Sequence, residues 1–215
     1  MAQKVSVITP VWNQMDHTLR YLYLNRDRQA EFIIIDNGST DQTPQLLADW
    51  AKPYDSRLKV ITNDRNLGFP IACNQGAEAA SGDILLFLNN DVVIYGDYLR
   101  PLQGMNVDTI AGPELWTTDT GWNRFGGTLI AYISGWCLAI TRATFSKLGR
   151  FDERYSPCDY EDMDLCYSLT QAGGTLEWLQ LPIQHISGQS GTQLANRREI
   201  TEANRRKFAE KWNLV

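Results

Sequence analysis

Gly82-Asp83-Ile84-Leu85-Leu86-Phe87-Leu88-Asn89-Asn90-Asp91 is an apolar run of strand length, entered from a Ser81-Gly82-Asp83 turn. It stops abruptly at two amides and a carboxylate. A short apolar run between turn residues reads as a fully buried strand. In an open α/β sheet, ligands bind outside the carboxyl ends of the strands. Asn89-Asn90-Asp91 therefore stands where a ligand is held. Oxygen donors at such a place suit a hard divalent cation, Mg2+ or Mn2+, and with it phosphate. A plain turn is the competing reading, because Asn and Asp are common turn residues.

Working back towards the start, Val5 to Val11 is β-branched and reads as the first strand. Asp16 is positioned to cap a helix through Leu19, Tyr21 and Leu22. Phe32-Ile33-Ile34-Ile35-Asp36 is a second buried strand, Leu46, Leu47 and Trp50 mark an amphipathic helix, and Leu58 to Ile61 is a third strand. Asn66-Leu67-Gly68-Phe69 turns into a helix from about Pro70 to Ala80, whose Ala72, Gly76 and Ala77 allow close approach to a sheet. Strands alternating with helices imply a parallel sheet covered on both faces. The first strand leads into Thr9-Pro10-Val11-Trp12-Asn13, without the glycines of a dinucleotide fingerprint, and a Walker loop is absent. Phosphate would therefore be held by a cation and side chains, which again singles out Asp91.

Beyond Asp91 the pattern changes. Tyr98, Leu99 and Leu102 suggest a short helix and Thr109 to Pro113 a strand. Trp116 to Gly127 reads as an irregular loop or hairpin, and Trp116, Trp122 and Phe125 are candidates for stacking on sugar or for local core. Leu129 to Ile133 and Trp136 to Ile140 read as strands on either side of Ser134-Gly135, and Arg142 to Leu148 as a short helix. Asp159-Tyr160-Glu161-Asp162-Met163-Asp164 opens a further helix. Acidic residues suit a helix N-terminus, yet the dipole does not require four of them. Crowded carboxylates raise one another's pKa, which suits a general base. Asp164, two residues beyond Asp162, should point away from it. Leu176 to Leu181 is a last strand, followed by His185. The tail from Gln193 to Trp212 reads as a helix.

The formal charge of −5 on 215 residues argues against a general nucleic-acid binder. Cys73, Cys137, Cys158 and Cys166 show neither a CxxC pair nor framework spacing, which points to reduced thiols. No apolar run approaches the ~20 residues of a membrane helix, and no signal peptide is visible. A cytoplasmic protein without membrane insertion is expected.

Val7-Ile8-Thr9-Pro10-Val11-Trp12-Asn13, Ile35-Asp36-Asn37-Gly38-Ser39-Thr40-Asp41, Asn66-Leu67-Gly68-Phe69 and Leu88-Asn89-Asn90-Asp91 resemble, in order and spacing, the successive motifs of family 2 glycosyltransferases with the GT-A fold. Asn89-Asn90-Asp91 stands where the family has Asp-x-Asp and keeps only the final carboxylate. This variant resembles the rhamnosyltransferase-like branch. A second departure is Cys73, where many relatives carry arginine before the asparagine matched by Asn74. Phe208-Ala209-Glu210-Lys211-Trp212 resembles the family's closing Phe-x-x-Lys-Trp, so the likeness extends over nearly the whole chain.

The resemblance implies a Rossmann-like, mostly parallel α/β sheet flanked by helices. It implies one domain over 1–215, with a nucleotide-binding half at 1–91 and an acceptor-binding half with the closing helix at 92–215. Thr9, Pro10, Asp36, Asn37, Asn66, Gly68, Asn89 and Asn90 would serve the nucleotide. The Asp36 carboxylate suits the imide N–H of uracil or thymine; the alternative for it is an Asx-turn onto Ser39 or Thr40. Asp91 and His185 would hold Mn2+ or Mg2+. Gly135 and Trp136 would face the acceptor. Asp162 would be the base, with Glu161 as its neighbour. The implied activity is inverting, metal-dependent transfer of a hexosyl or deoxyhexosyl group from a nucleotide-diphosphate sugar, such as a UDP-sugar, to a glycan hydroxyl. A sugar-phosphate nucleotidylyltransferase and a non-catalytic nucleotide-sugar or glycan-binding module remain as alternatives. Ile186 to Thr192, glycine-rich and without apolar anchors, is expected to act as a lid, with Arg197 and Arg198 behind it.

Overall fold

The computed structural model describes residues 3–51, 57–186 and 196–214. Among the described residues six α-helices are present: α1 (Met15–Asn25), α2 (Thr43–Ala51), α3 (Phe69–Ala79), α4 (Arg142–Lys147), α5 (Glu161–Gln171) and α6 (Arg197–Lys211). The strands of the main sheet are β1 (Val5–Val11), β2 (Glu31–Asp36), β3 (Leu58–Thr62), β4 (Ile84–Leu88), β6 (Thr109–Gly112), β11 (Cys137–Thr141) and β12 (Thr175–Trp178). Three two-stranded ladders join β5 (Val92–Ile94) to β13 (Ile183–His185), β7 (Leu115–Trp116) to β10 (Tyr132–Ile133), and β8 (Arg124–Phe125) to β9 (Thr128–Leu129).

The main sheet runs β12-β6-β11-β4-β1-β2-β3. β11 is antiparallel to both β4 and β6, while the other pairings are parallel. A sheet covered on both faces needs strands that are apolar on both sides, and β4 is buried at all five positions. Val7, Ile34 and Leu86 face one core with Tyr21, Leu22 and Leu47. Ile8, Ile33, Ile35, Leu85 and Phe87 face the other, with Phe145 and Phe151. Gly76 lets α3 lie close to this second face: a Cβ there would collide with Ile8 Cγ2 and Ile35 Cδ1. That is the approach expected from its small residues.

Several expectations are corrected. Helix α1 begins at Met15, behind a left-handed Gln14, and Asp16 lies within its first turn. The cap is supplied from a distance, by Asp41 accepting the Met15 N–H at 3.1 Å. The expected strand over 129–133 is split in two, because Asn123 takes both the N–H and the C=O of Ile130 through its backbone carbonyl and side-chain amide. The last strand of the sheet stops at Trp178, and a separate one ends at His185. The lid expected over 186–192 lies, beyond Ile186, outside the described residues.

Helix α6 closes on α5 through Asp164. Its carboxylate accepts from Lys211 at 2.7 Å, Trp212 Nε1 at 2.8 Å and the Tyr155 hydroxyl at 3.1 Å. This explains why Lys211-Trp212 ends the helix and why Asp164 points away from Asp162. Removing one partner of a buried, hydrogen-bonded ion pair is strongly destabilising. Asp164→Ala should therefore cost about 3 kcal/mol, seen as a lower urea midpoint. A change under about 0.5 kcal/mol would mean that the network does not secure α6.

Candidate active site

A cleft of about 370 Å³ opens at the carboxyl ends of β1, β2 and β4. Beside Asn89, at the end of β4, stands the beginning of β11, because that strand runs the other way. The Asn89 N–H donates to the Trp136 carbonyl at 2.9 Å. Asp91, buried, sits one turn further on. The β5–β13 ladder pairs Val92 with His185 and so delivers the histidine to Asp91 across 94 residues. His185 Nε2 lies 3.1 Å from Asp91 Oδ1. The imidazole is stacked on Trp136, with centroids 4.9 Å apart and planes within 2°. Trp136 is held in turn by its Nε1–H to Glu114 Oε2 at 2.7 Å.

On the opposite wall, α5 presents Glu161 and Asp162. The chain reaches it through two successive left-handed residues, Asp159 (φ 72°) and Tyr160 (φ 78°). Such conformations persist only where surrounding contacts impose them. Here the Asn204 amide of α6 donates to the carbonyls of Tyr155, Cys158 and Asp159 at 2.7, 2.8 and 3.1 Å. Arg197 and Thr201 hold the Asp159 carboxylate. Asp162 accepts the Gly135 N–H at 2.8 Å and the Met163 N–H at 2.7 Å. Gly135 has room for little else, since a Cβ would come within 3.3 Å of Asp162. Burial pushes the Asp162 carboxyl up to about 6, against the pull of those two N–H groups. Glu161 is pushed well up by burial and by the carboxylates of Asp162 and Asp159. Its Oε2 finds no hydrogen-bond partner among the described residues.

Asp91, His185, Gly135, Trp136, Glu161 and Asp162 thus come together in one cleft, with Pro10, Asn37, Asn66, Asn89 and Asn90 along its length. Asn37 and Asn66 form a side-chain ladder, Asn37 Nδ2 to Asn66 Oδ1 at 2.9 Å, which shapes the loop before α3. Asn90 donates to Thr18 on α1 at 2.9 Å. Three expected residues do not line the cleft. Thr9 is fully buried, with its hydroxyl 2.7 Å from that of Tyr21. Gly68 gives its N–H to Asn66 and packs against Pro157. Asp36 lies buried at the end of β2. Its Oδ1 accepts from Ser39 in the Asx-turn, while Oδ2 is buried without a partner among the described residues. The aromatics differ too: Trp12 and Trp136 line the cleft, whereas Trp116, Trp122 and Phe125 do not. Phe125 packs on Phe208 with a centroid distance of 5.0 Å. Glu114 is a cleft residue to which the sequence assigned no role, and Asp159, read only as one of the crowded carboxylates, lines the cleft as well.

Residues 6–108 match the profile of glycosyl transferase family 2. They belong to that family. The O-antigen biosynthesis protein RfbC of Myxococcus xanthus is 30% identical over 211 residues, 79% of this chain and 16% of the relative. Glycosyltransferase AglE of Haloferax volcanii is 30% identical over 126 residues, 54% of this chain and 41% of the relative. The chain thus spans less than half the length of either. Among solved structures, GalNAc-T7 with UDP, GalNAc and Mn2+ superposes with a TM-score of 0.75 at 18% identity, over 97% of this chain and 48% of that one. The mannosyltransferase PcManGT of Pyrobaculum calidifontis with GDP-Man and Mn2+ gives 0.67 at 18%, over 83% and 55%. The fold is GT-A. The family match stops at residue 108, short of Glu161, Asp162 and His185.

The Asp91–His185 pair fits a divalent cation of the Mn2+ kind in donor chemistry, a carboxylate and an imidazole converging at 3.1 Å. Among the described residues no third His, Cys, Asp or Glu completes a protein-only site. Such a pair suits a cation whose remaining ligands are phosphate oxygens and water.

Proposed function

We propose that this chain transfers a sugar from a nucleotide-diphosphate donor to an acceptor hydroxyl with inversion, in glycan or polysaccharide synthesis. One observation carries the reading: a cation-type pair, Asp91 and His185, shares a single cleft with a raised, hydrogen-bonded carboxylate, Asp162. The base of the nucleotide lies along Pro10, Asn37 and Asn66. Asp36 lies buried behind them, and the resemblance, rather than its contacts, gives it the imide N–H of uracil or thymine. Asp91 and His185 would hold Mn2+ or Mg2+, which would supply neutralisation of the charge on a departing diphosphate. Gly135 and Trp136 form the acceptor wall. Asp162 takes the acceptor's proton, and the hydroxyl attacks the anomeric carbon from the face opposite the diphosphate. Residues 1–215 act as one domain, with donor half 1–91 and acceptor half 92–215. Among the described residues no helix is long and apolar enough to cross a membrane. All four cysteines are free, which supports a reducing, cytoplasmic setting.

The test is a thermal-shift screen of UDP-, dTDP- and GDP-sugars with Mn2+, followed by nucleotide release. A ligand at ~100 times its dissociation constant adds about 2.7 kcal/mol. At least one donor should raise the midpoint and lose its nucleotide. No shift with any donor, at any cation concentration, would overturn the reading.

A further inference from the structure

A metal-ligating histidine usually donates its second ring N–H to a carboxylate or carbonyl, which fixes the plane of the ring. His185 is held differently. Among the described residues its imidazole makes one hydrogen-bond contact, Nε2 to Asp91 Oδ1 at 3.1 Å. The plane is set by a face instead, since the ring lies within 2° of parallel to the Trp136 indole. That indole must be fixed in turn. The backbone around it is secured on both sides, by the Gly135 N–H on Asp162 and by the Asn89 N–H on the Trp136 carbonyl. Its terminal side-chain torsion is not, because a torsion of that kind is broad. The contact that selects one orientation is Nε1–H to Glu114 Oε2 at 2.7 Å, short as charge-assisted bonds are. Glu114 stands just before β7, and its carbonyl accepts the Ser134 N–H at 3.0 Å next to the β7–β10 ladder. Glu114, Trp136, His185 and Asp91 all line the same cleft.

We propose that Glu114 is a positioning residue for the cation pair, holding the Trp136 indole in the plane against which His185 is set towards Asp91. The assignment rests on the transferase reading and adds to it the group that orients the imidazole. The carboxylate that commonly supports a ligating histidine directly stands here one ring away. Glu114 needs to touch neither cation nor sugar in this role. Without its oxygen the indole turns about its terminal torsion, the imidazole loses the face it stacks on, and Nε2 is no longer directed to Asp91 Oδ1.

The experiment uses Glu114→Ala, Glu114→Gln and Trp136→Phe in the 215-residue chain. There are two histidines, so the ring protons of His185 are assigned by comparison with His17→Gln. In wild type, with no cation added, the ring current of Trp136 should hold them upfield of those of His17. Glu114→Ala should release that shift. Glu114→Gln, whose amide oxygen still accepts the indole N–H, should retain it. Mn2+ affinity is then measured in the presence of UDP from the electron paramagnetic resonance of the free ion. Alanine should cost about tenfold or more, as loss of a ligand's support typically does, and glutamine should recover most of it. Trp136→Phe keeps an aromatic face without an N–H, so Glu114→Ala should add nothing to its loss. His185 signals unmoved by alanine, a glutamine variant as weak as alanine, or additive losses in the double variant would each overturn the proposal. A wild type that binds no Mn2+ with UDP counts against the cation in the transferase reading, and the histidine spectrum still decides whether Glu114 sets the ring.

Discussion

Asp162→Asn should lower turnover by ~10²–10⁴, the usual worth of a general base, with donor affinity held within about threefold. Asparagine keeps the volume but cannot take a proton at neutral pH. It also turns an amide N–H₂ towards either Gly135 or Met163, where the carboxylate accepts from both. Part of the loss is therefore geometric, and the urea midpoint of the variant separates that part. The pH profile separates it further. The base must be ionised, so wild-type kcat/KM should rise with pH through about 6 and level off above. The residual activity of the asparagine variant should show no such rise. Turnover within about threefold of wild type would move the base away from Asp162.

The second large effect concerns the cation. Nucleotide binding, followed by calorimetry with UDP, should depend on Mn2+ and fall at least tenfold in EDTA if Asp91 and His185 bridge through a cation to the diphosphate. Asp91→Ala should remove about two orders of magnitude in Mn2+ affinity and abolish the EDTA effect. Trp136→Ala should cost about 10–100-fold in Mn2+ affinity, as is typical when the support of a metal ligand is removed, because it takes away the face against which His185 is stacked. Equal UDP affinity in EDTA and in Mn2+ would sink the site.

Much of the frame was legible in the sequence, for a physical reason. β1, β2 and β4 are covered on both faces, so their apolar runs are continuous and their ends sharp. Asp91 stood out because it ends an apolar run, and Glu161 and Asp162 because four carboxylates crowd the start of one helix. The joining of Asp91 to His185 depends on a three-residue ladder, β5 with β13, too short to leave a periodicity. Glu114 is a single carboxylate whose partner, Trp136, lies 22 residues on, with no local signal to pair them. Trp122, read as a candidate for sugar stacking or for local core, is 44% exposed and beyond the cleft. Thr9 was placed in the pocket by resemblance, whereas strand alternation turns its side chain to Tyr21.

The reversed strand β11 has a further consequence. On the parallel strands β1, β2 and β4, the chain arrives at the cleft after crossing the sheet, so donor-side residues follow the core segments that set their position. On β11 the order is inverted: Gly135 and Trp136 come before the core segment, at the far end of the excursion from Pro113 to Ser134. In the proposed reaction the donor-side and acceptor-side residues thus reach the cleft from opposite chain directions and meet where the Asn89 N–H donates to the Trp136 carbonyl. Within that excursion Glu114 and Ser134 reach the cleft, whereas Trp122 and Phe125 lie outside it, so rebuilding the segments around Glu114 and Ser134 alters what meets Trp136 while leaving β4, Asn89 and Asp91 in register. A scaffold wired in this way can change its acceptor without relearning its donor. Chimaeras exchanging that excursion between family members should therefore trade acceptor preference while keeping the parent's nucleotide.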